Sequence, residues 1–291
     1  MGITEIFGKT FDIVKNNPKI ILPYLVFTMI IGVFVIYSVF SSIGTIYSSP
    51  MIPGGAHTTP SLNSIIQVYE TLVPVLVLII GLSVFIAPLL LGAYIDIADQ
   101  GYNRTKVSMS RAFDVAKKNY VHMFLTGLLL FIIWTVFGAT FIVAFVLPIV
   151  ISHVHLLTVL WLLLGCILFF ILGIILCLLL YEAYAVVILE KLGAVEAVKR
   201  SIDIGKKNLG AIFAVIVVTV LISLGYSLVI GIAVSVIQIP LELSGNIFLG
   251  VGIGQFINFV FSSVLSSWIA LIPVGFYKEY VASKSKKRIR K

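Results

Sequence analysis

Long apolar runs alternate along this chain with shorter stretches whose polar and apolar positions keep a helical period. In the first, residues 3–16, Ile3, Ile6, Phe7, Thr10, Phe11 and Val14 share one face, and Glu5, Lys9, Asp12 and Lys15 take the other. That pattern predicts an amphipathic helix lying in a membrane interface. Asn17-Pro18 ends it, because the residue before a proline avoids the helical region. Two more such helices are predicted at 108–118, with Ser108 as N-cap, and at 194–207. Apolar runs near 20–46, 65–97, 120–150, 156–188, 209–238 and 247–277 each exceed the roughly 20 residues that cross a bilayer. Pro74 and Pro88 predict kinks or local unwinding in the second run. The first stretch reads as amphipathic rather than as a signal peptide.

The polar stretches also repeat. Residues 8–17 read GKTFDIVKNN, 110–119 read SRAFDVAKKN, and 199–208 read KRSIDIGKKN. In register, a basic residue (Lys9, Arg111, Arg200) precedes a small one, an apolar one and an Asp (Asp12, Asp114, Asp203). Three positions later comes a Lys (Lys15, Lys117, Lys206), and an Asn closes the run. The expected fold is therefore all-α: a polytopic membrane protein of six transmembrane helices, in three parallel repeats of interfacial helix plus two spans. The repeats cover 1–103, 104–190 and 191–283 of one transmembrane domain, packed as a pseudo-threefold bundle, with a basic tail at 284–291 expected to be disordered.

Composition places the chain in lipid. It is 60% hydrophobic and only 11% charged, with a mean hydropathy of +1.16, where soluble chains carry about 25% charge. The net charge of +8 comes from 20 Lys and Arg confined to 9–19, 104–118, 191–207 and 278–291. With six spans those clusters all fall on one side, which predicts a multi-pass protein of the cytoplasmic membrane with both termini cytoplasmic. The other side carries only Glu70 and Glu242 as charges. The tail residues Lys284, Lys286, Lys287, Arg288, Arg290 and Lys291 point to anionic lipid rather than nucleic acid as partner. Cys166 and Cys177 lie in one apolar run, roughly 16 Å apart on a helix, too far for a disulfide.

Residues 190–213, EKLGAVEAVKRSIDIGKKNLGAIF, carry a family resemblance on Leu192, Gly193, Ala197, Lys199, Arg200, Ser201, Lys206 and Asn208. The stretch resembles the membrane-domain superfamily of glycerophosphoryl diester phosphodiesterases and related prokaryotic integral membrane proteins. The resemblance implies a membrane module alone. The soluble phosphodiesterase domain that can accompany it has no counterpart in this sequence, so no enzymatic activity carries over.

Candidate chemistry is sparse. No phosphate loop, hydrolase elbow, zinc-protease motif or catalytic carboxylate pair occurs, so neither an enzyme nor a cofactor is expected. His153 and His155 lack an accompanying Cys or acid set, so no metal is expected either. Gly254, Asn258, Ser262 and Ser266 lie on an i,i+4 row of the last span, and Ser223 and Ser227 on a row of the span before it. Such rows let two helices approach closely. They also offer a face for a homo-oligomer. Their polar members, Asn258 with Gln255 nearby, are alternatively expected to line a polar path for a small solute, ion or lipid. The competing expectation for the whole chain is a membrane scaffold that transports nothing. Glu182 is the candidate intramembrane acid. The repeat charges are expected either to face headgroups or to form a ring, with each Asp meeting a basic residue of the next repeat.

Overall fold

The structure, a computed structural model, describes residues 2–47, 62–103, 106–147 and 156–282. Among them every element is helical. In chain order these are α1 (Ile3–Asn16), a 3₁₀ turn (Pro18–Ile20), α2 (Ile21–Tyr47), α3 (Leu62–Tyr102), α4 (Met109–Lys118) and α5 (Tyr120–Phe141). There follow α6 (Leu156–Leu180), α7 (Ala183–Leu189), α8 (Ala194–Leu243), α9 (Ile247–Ile269) and α10 (Ile272–Phe276). Wide π turns extend α5 over Ile142–Val146 and α10 over Tyr277–Ala282. Six helical stretches are long and apolar enough to cross a membrane: Pro18–Ile36, Leu72–Tyr102, Tyr120–Val146, Val159–Leu189, Ala194–Leu243 and Leu249–Ala282. Large apolar side chains stay uncovered along them, Phe131 and Phe170 each at 68%. Lipid, not water, is the solvent such a surface requires. His57, His153, His155 and the basic tail lie outside the described residues.

The repeated Asn works as a bend. At Asn208 the backbone leaves helical angles (φ −135°, ψ 24°), so α8 consists of two helical stretches that meet at a kink there. The Asn208 amide donates to the Ile204 carbonyl at 2.9 Å, satisfying an acceptor that the bend releases. Asn119, between α4 and α5, does the same to Val115 at 2.9 Å. α3 stays helical through Pro74 and Pro88, where the sequence predicts kinks or unwinding. A proline ring removes one hydrogen bond without having to end a membrane helix. A break falls instead at Tyr181–Glu182, between α6 and α7, with no proline near it.

Two compact units are present. The first comprises Met1–Asn16, Pro88–Val220 and Ala270–Lys291; the second comprises Asn17–Ala87 and Leu221–Ile269. In the first unit, Ile6, Tyr94, Ile97, Val186, Leu271, Ile272 and Phe276 are all fully buried. The amphipathic segments close over this core. Ile6 of α1 seats against Gly275 of α10. Ala112 and Ala116 of α4 are buried without exposed area. The start of α8 lies across the α6–α7 break, where Gly205 faces the Leu179 backbone. In the second unit α9 packs on α2. There Thr28 and Ser263 share a hydrogen bond of 2.6 Å, and the missing side chain of Gly32 leaves room for the Phe259 ring.

Candidate functional site

The in-register basic residues of the three repeated stretches all find acids in the first unit. Lys9 Nζ lies 2.7 Å from Glu279 Oε1. Arg111 Nε lies 3.9 Å from Asp96 Oδ2. Arg200 Nε donates to both oxygens of Glu190, each at 3.0 Å. In each case the acid sits near the end of a spanning stretch, and the base sits on the amphipathic helix packed there. Glu190 is set up by local backbone. It closes α7, and the next residue, Lys191, takes a left-handed conformation (φ 55°) that turns the chain back toward α8. The Tyr277 hydroxyl also donates to Glu190, at 2.6 Å. Lys278 pairs with Asp99. Asp96 further accepts from Gln100, whose own oxygen accepts the Ser108 N–H at 2.8 Å and so fixes the start of α4.

The repeats' own Asp and second Lys stand elsewhere. Asp12, Asp114, Asp203, Lys15, Lys117 and Lys206 are all exposed and lie outside these ion pairs. The network runs through Glu279, Asp96 and Glu190, which sequence register alone does not select, because the three acids occupy unrelated offsets from their bases. A faint signal, an acid within two residues of a Tyr at the close of a second span, marks Asp96 and Glu279 but points to Glu182 rather than Glu190.

Lys9 also approaches Glu5, at 3.3 Å. Its ammonium is held above the ordinary 10.5, chiefly by the hydrogen bond to Glu279, against the opposing effect of burial. A group raised in the folded state contributes fully below its unfolded value and loses that contribution as pH climbs through the folded one. Thermal melts from pH 9 to above 10.5 are therefore expected to show an alkaline loss of stability, and the loss should be smaller in Lys9→Gln.

Glu182 is 1% exposed. Neither of its carboxylate oxygens has a hydrogen-bond partner. Its backbone N–H, freed by the α6–α7 break, donates to Ser201 Oγ at 3.2 Å, and that hydroxyl donates to the Leu179 carbonyl at 2.9 Å. Ser201 of the repeated stretch thus bridges both sides of the break.

The second unit holds a polar groove between α8 and α9, of about 320 Å³. Ser227, Gly254, Gln255, Asn258 and Ser262 line it, together with Tyr226, Gln238 and the apolar Ile230, Val234 and Leu265. Ser223 and Ser266 do not. Sequence reading missed Gln238, a lone amide in an apolar run. Gly254 carries no side chain where Gln238 lies against it, and the Gln238 amide donates to Glu242 at 2.6 Å. The Tyr226 hydroxyl donates to the Phe261 carbonyl at 2.7 Å, tying the two helices at the other end. Between these ties the walls offer amides and hydroxyls but no charge. That surface suits a small neutral polar solute, since an ion would need several converging oxygens or an opposite charge. Among the described residues no group of His, Cys, Asp or Glu could hold a metal ion.

A family model described as a domain of unknown function (DUF7847) matches residues 1–280. No curated protein matches the chain, and no solved structure does.

Proposed function

The chain belongs to the family of the domain of unknown function DUF7847, and we propose that it is a transporter or pore that accepts a small polar solute in the α8–α9 groove. The observation that carries this reading is the groove itself. Amides on a membrane helix need partners, and the half-buried Gln255 and the more exposed Asn258 line a space of about 320 Å³ that a solute can fill. In this reading the spans run with the basic clusters on the cytoplasmic side. The three base–acid pairs are the closure of a pseudo-threefold arrangement of repeats. Support comes from Lys9, Arg111 and Arg200, which share one register and each meet an acid near the end of a span. The kinship to the phosphodiesterase membrane superfamily extends, in this proposal, to architecture alone.

The test is solute flux into proteoliposomes carrying the full chain, with neutral polyols and neutral amino acids as probes. Asn258→Leu and Gln255→Leu are expected to lower flux about tenfold, each removing roughly one hydrogen bond of 1–1.5 kcal/mol. Flux equal to that of empty vesicles for every probe, or flux unaltered by both substitutions, would overturn the reading.

A second reading is a lipid-bound scaffold. The exposed Lys15, Lys117, Lys118, Lys206 and Lys207 on the amphipathic segments favour it. Juxtamembrane lysines are worth about 1 kcal/mol each at an anionic surface. Preferential retention of phosphatidylserine over phosphatidylcholine by the purified protein, lost when these lysines are neutralised, would support it.

A further inference from the structure

Among the described residues, Glu182 is the one whose buried side-chain oxygens lack any hydrogen-bond partner. Asp96 makes the contrast clear. It is nearly as buried, at 5% exposed, but accepts from Gln100 and faces Arg111. Glu182 stands at the N-terminal boundary of α7 and makes no side-chain cap bond there. An ionised carboxylate in that position would be a bare charge out of water, the costliest arrangement a fold can hold. A neutral carboxyl is far cheaper. A metal cation does not solve the problem, because it needs several oxygens around it. The hydroxyl that spans the break is already engaged: Ser201 Oγ bonds Leu179 O and the Glu182 N–H.

The neighbouring titratable groups offer no counter-charge. Arg200 is paired with Glu190. Asp203 is exposed. Tyr181, beside Glu182 on the break, packs edge-on against Phe276 of α10. Tyr184 of α7 reaches toward Gly127 of α5, and Tyr277 is bonded to Glu190.

We propose that Glu182 is a proton-binding site, holding its proton while the start of α8 is clamped on the α6–α7 break by Ser201 and exchanging it when that segment lifts. On lifting, water reaches the carboxyl, the proton passes to it, and the carboxylate becomes hydrated. The inference does not depend on the α8–α9 groove, which lies in the other unit.

Infrared spectroscopy of the full chain in hydrated lipid films tests it at neutral pH. The expected result is a protonated-carboxyl C=O stretch equivalent to one group per chain, absent in Glu182→Gln. Carbon-13 labelling of glutamate should shift that band, which separates it from Asp96 and needs no variant. Transfer to heavy water should shift it slowly, and about tenfold faster in Ser201→Ala, which removes a clamp worth about 1.4 kcal/mol. A wild-type film with no such band, or a band that survives Glu182→Gln, overturns the proton site. Exchange equally fast in Ser201→Ala and wild type overturns the clamp.

Discussion

Alanine at position 205 is expected to destabilise the protein by about 1–3 kcal/mol, the usual cost of forcing extra atoms into a packed core. A β-carbon there would stand 2.8 Å from the Leu179 α-carbon and 3.0 Å from the Leu178 carbonyl oxygen. Both are backbone atoms, so no rotamer change relieves the contact. The start of α8 must move off the break, which also strains the Ser201 bridge. Leucine at this position should prevent the seating altogether and leave a chain that fails to elute as a single species in detergent. The control lies just beyond the Asn208 kink. Gly210 has open space around its α-carbon, so Gly210→Ala should be neutral or gain about 0.5–1 kcal/mol from helix propensity. Thermal melts of the three variants read the difference. Equal melting points for Gly205→Ala and Gly210→Ala would show that the close approach does not exist.

Loss of the Glu190 carboxylate should be the next most costly change. It accepts two bonds from Arg200 and one from Tyr277, and hydrogen bonds to charged groups are worth about 1.5–3 kcal/mol. Solvent screens this one, because the Arg200 side chain is 38% exposed. We therefore expect about 1–2 kcal/mol for Glu190→Ala, and less for Glu190→Gln, which keeps an acceptor for Tyr277. A double-mutant cycle with Arg200→Ala should return a coupling of about 0.5–1.5 kcal/mol. Asp203→Ala and Lys206→Ala, in the same repeated stretch, should each change stability by less than about 0.5 kcal/mol. The opposite ranking would mean that the motif's own Asp and Lys carry the network.

The contrast between Arg200 and Asp203 shows where sequence reading stops. Both recur in three copies at fixed spacing, so recurrence marks them equally. One is bonded and the other faces outward. Their difference rests on acids that register does not point to: Glu279 is 270 positions from Lys9, and Glu190 only 10 from Arg200. The groove was partly legible. Asn258 and Gln255 stood out as amides within an apolar run, and they do face one cavity with Ser227 and Ser262. Gln238 was hidden because it lies off the small-residue row, and its place depends on the empty side-chain position of Gly254. Ser263 was hidden too. Its hydroxyl meets Thr28 of α2, a neighbour that no local pattern names.

What the sequence by itself determined is local. Runs of apolar residues must be helical in lipid, since no water is there to satisfy an unbonded backbone. The 3.6-residue period of the polar stretches makes them amphipathic helices. Asn208 and Asn119 bend the chain because their own amides can reach the carbonyl four residues back. What only the tertiary structure decided is pairing: which acid meets which base, which glycine faces a neighbouring backbone, and which carboxyl is left without a partner. Those depend on contacts between segments far apart in the chain. The apolar run around Glu182 marks it as an intramembrane acid and the repeat places Asp203 on a polar stretch, but only packing leaves the Glu182 carboxyl without a partner and Asp203 exposed.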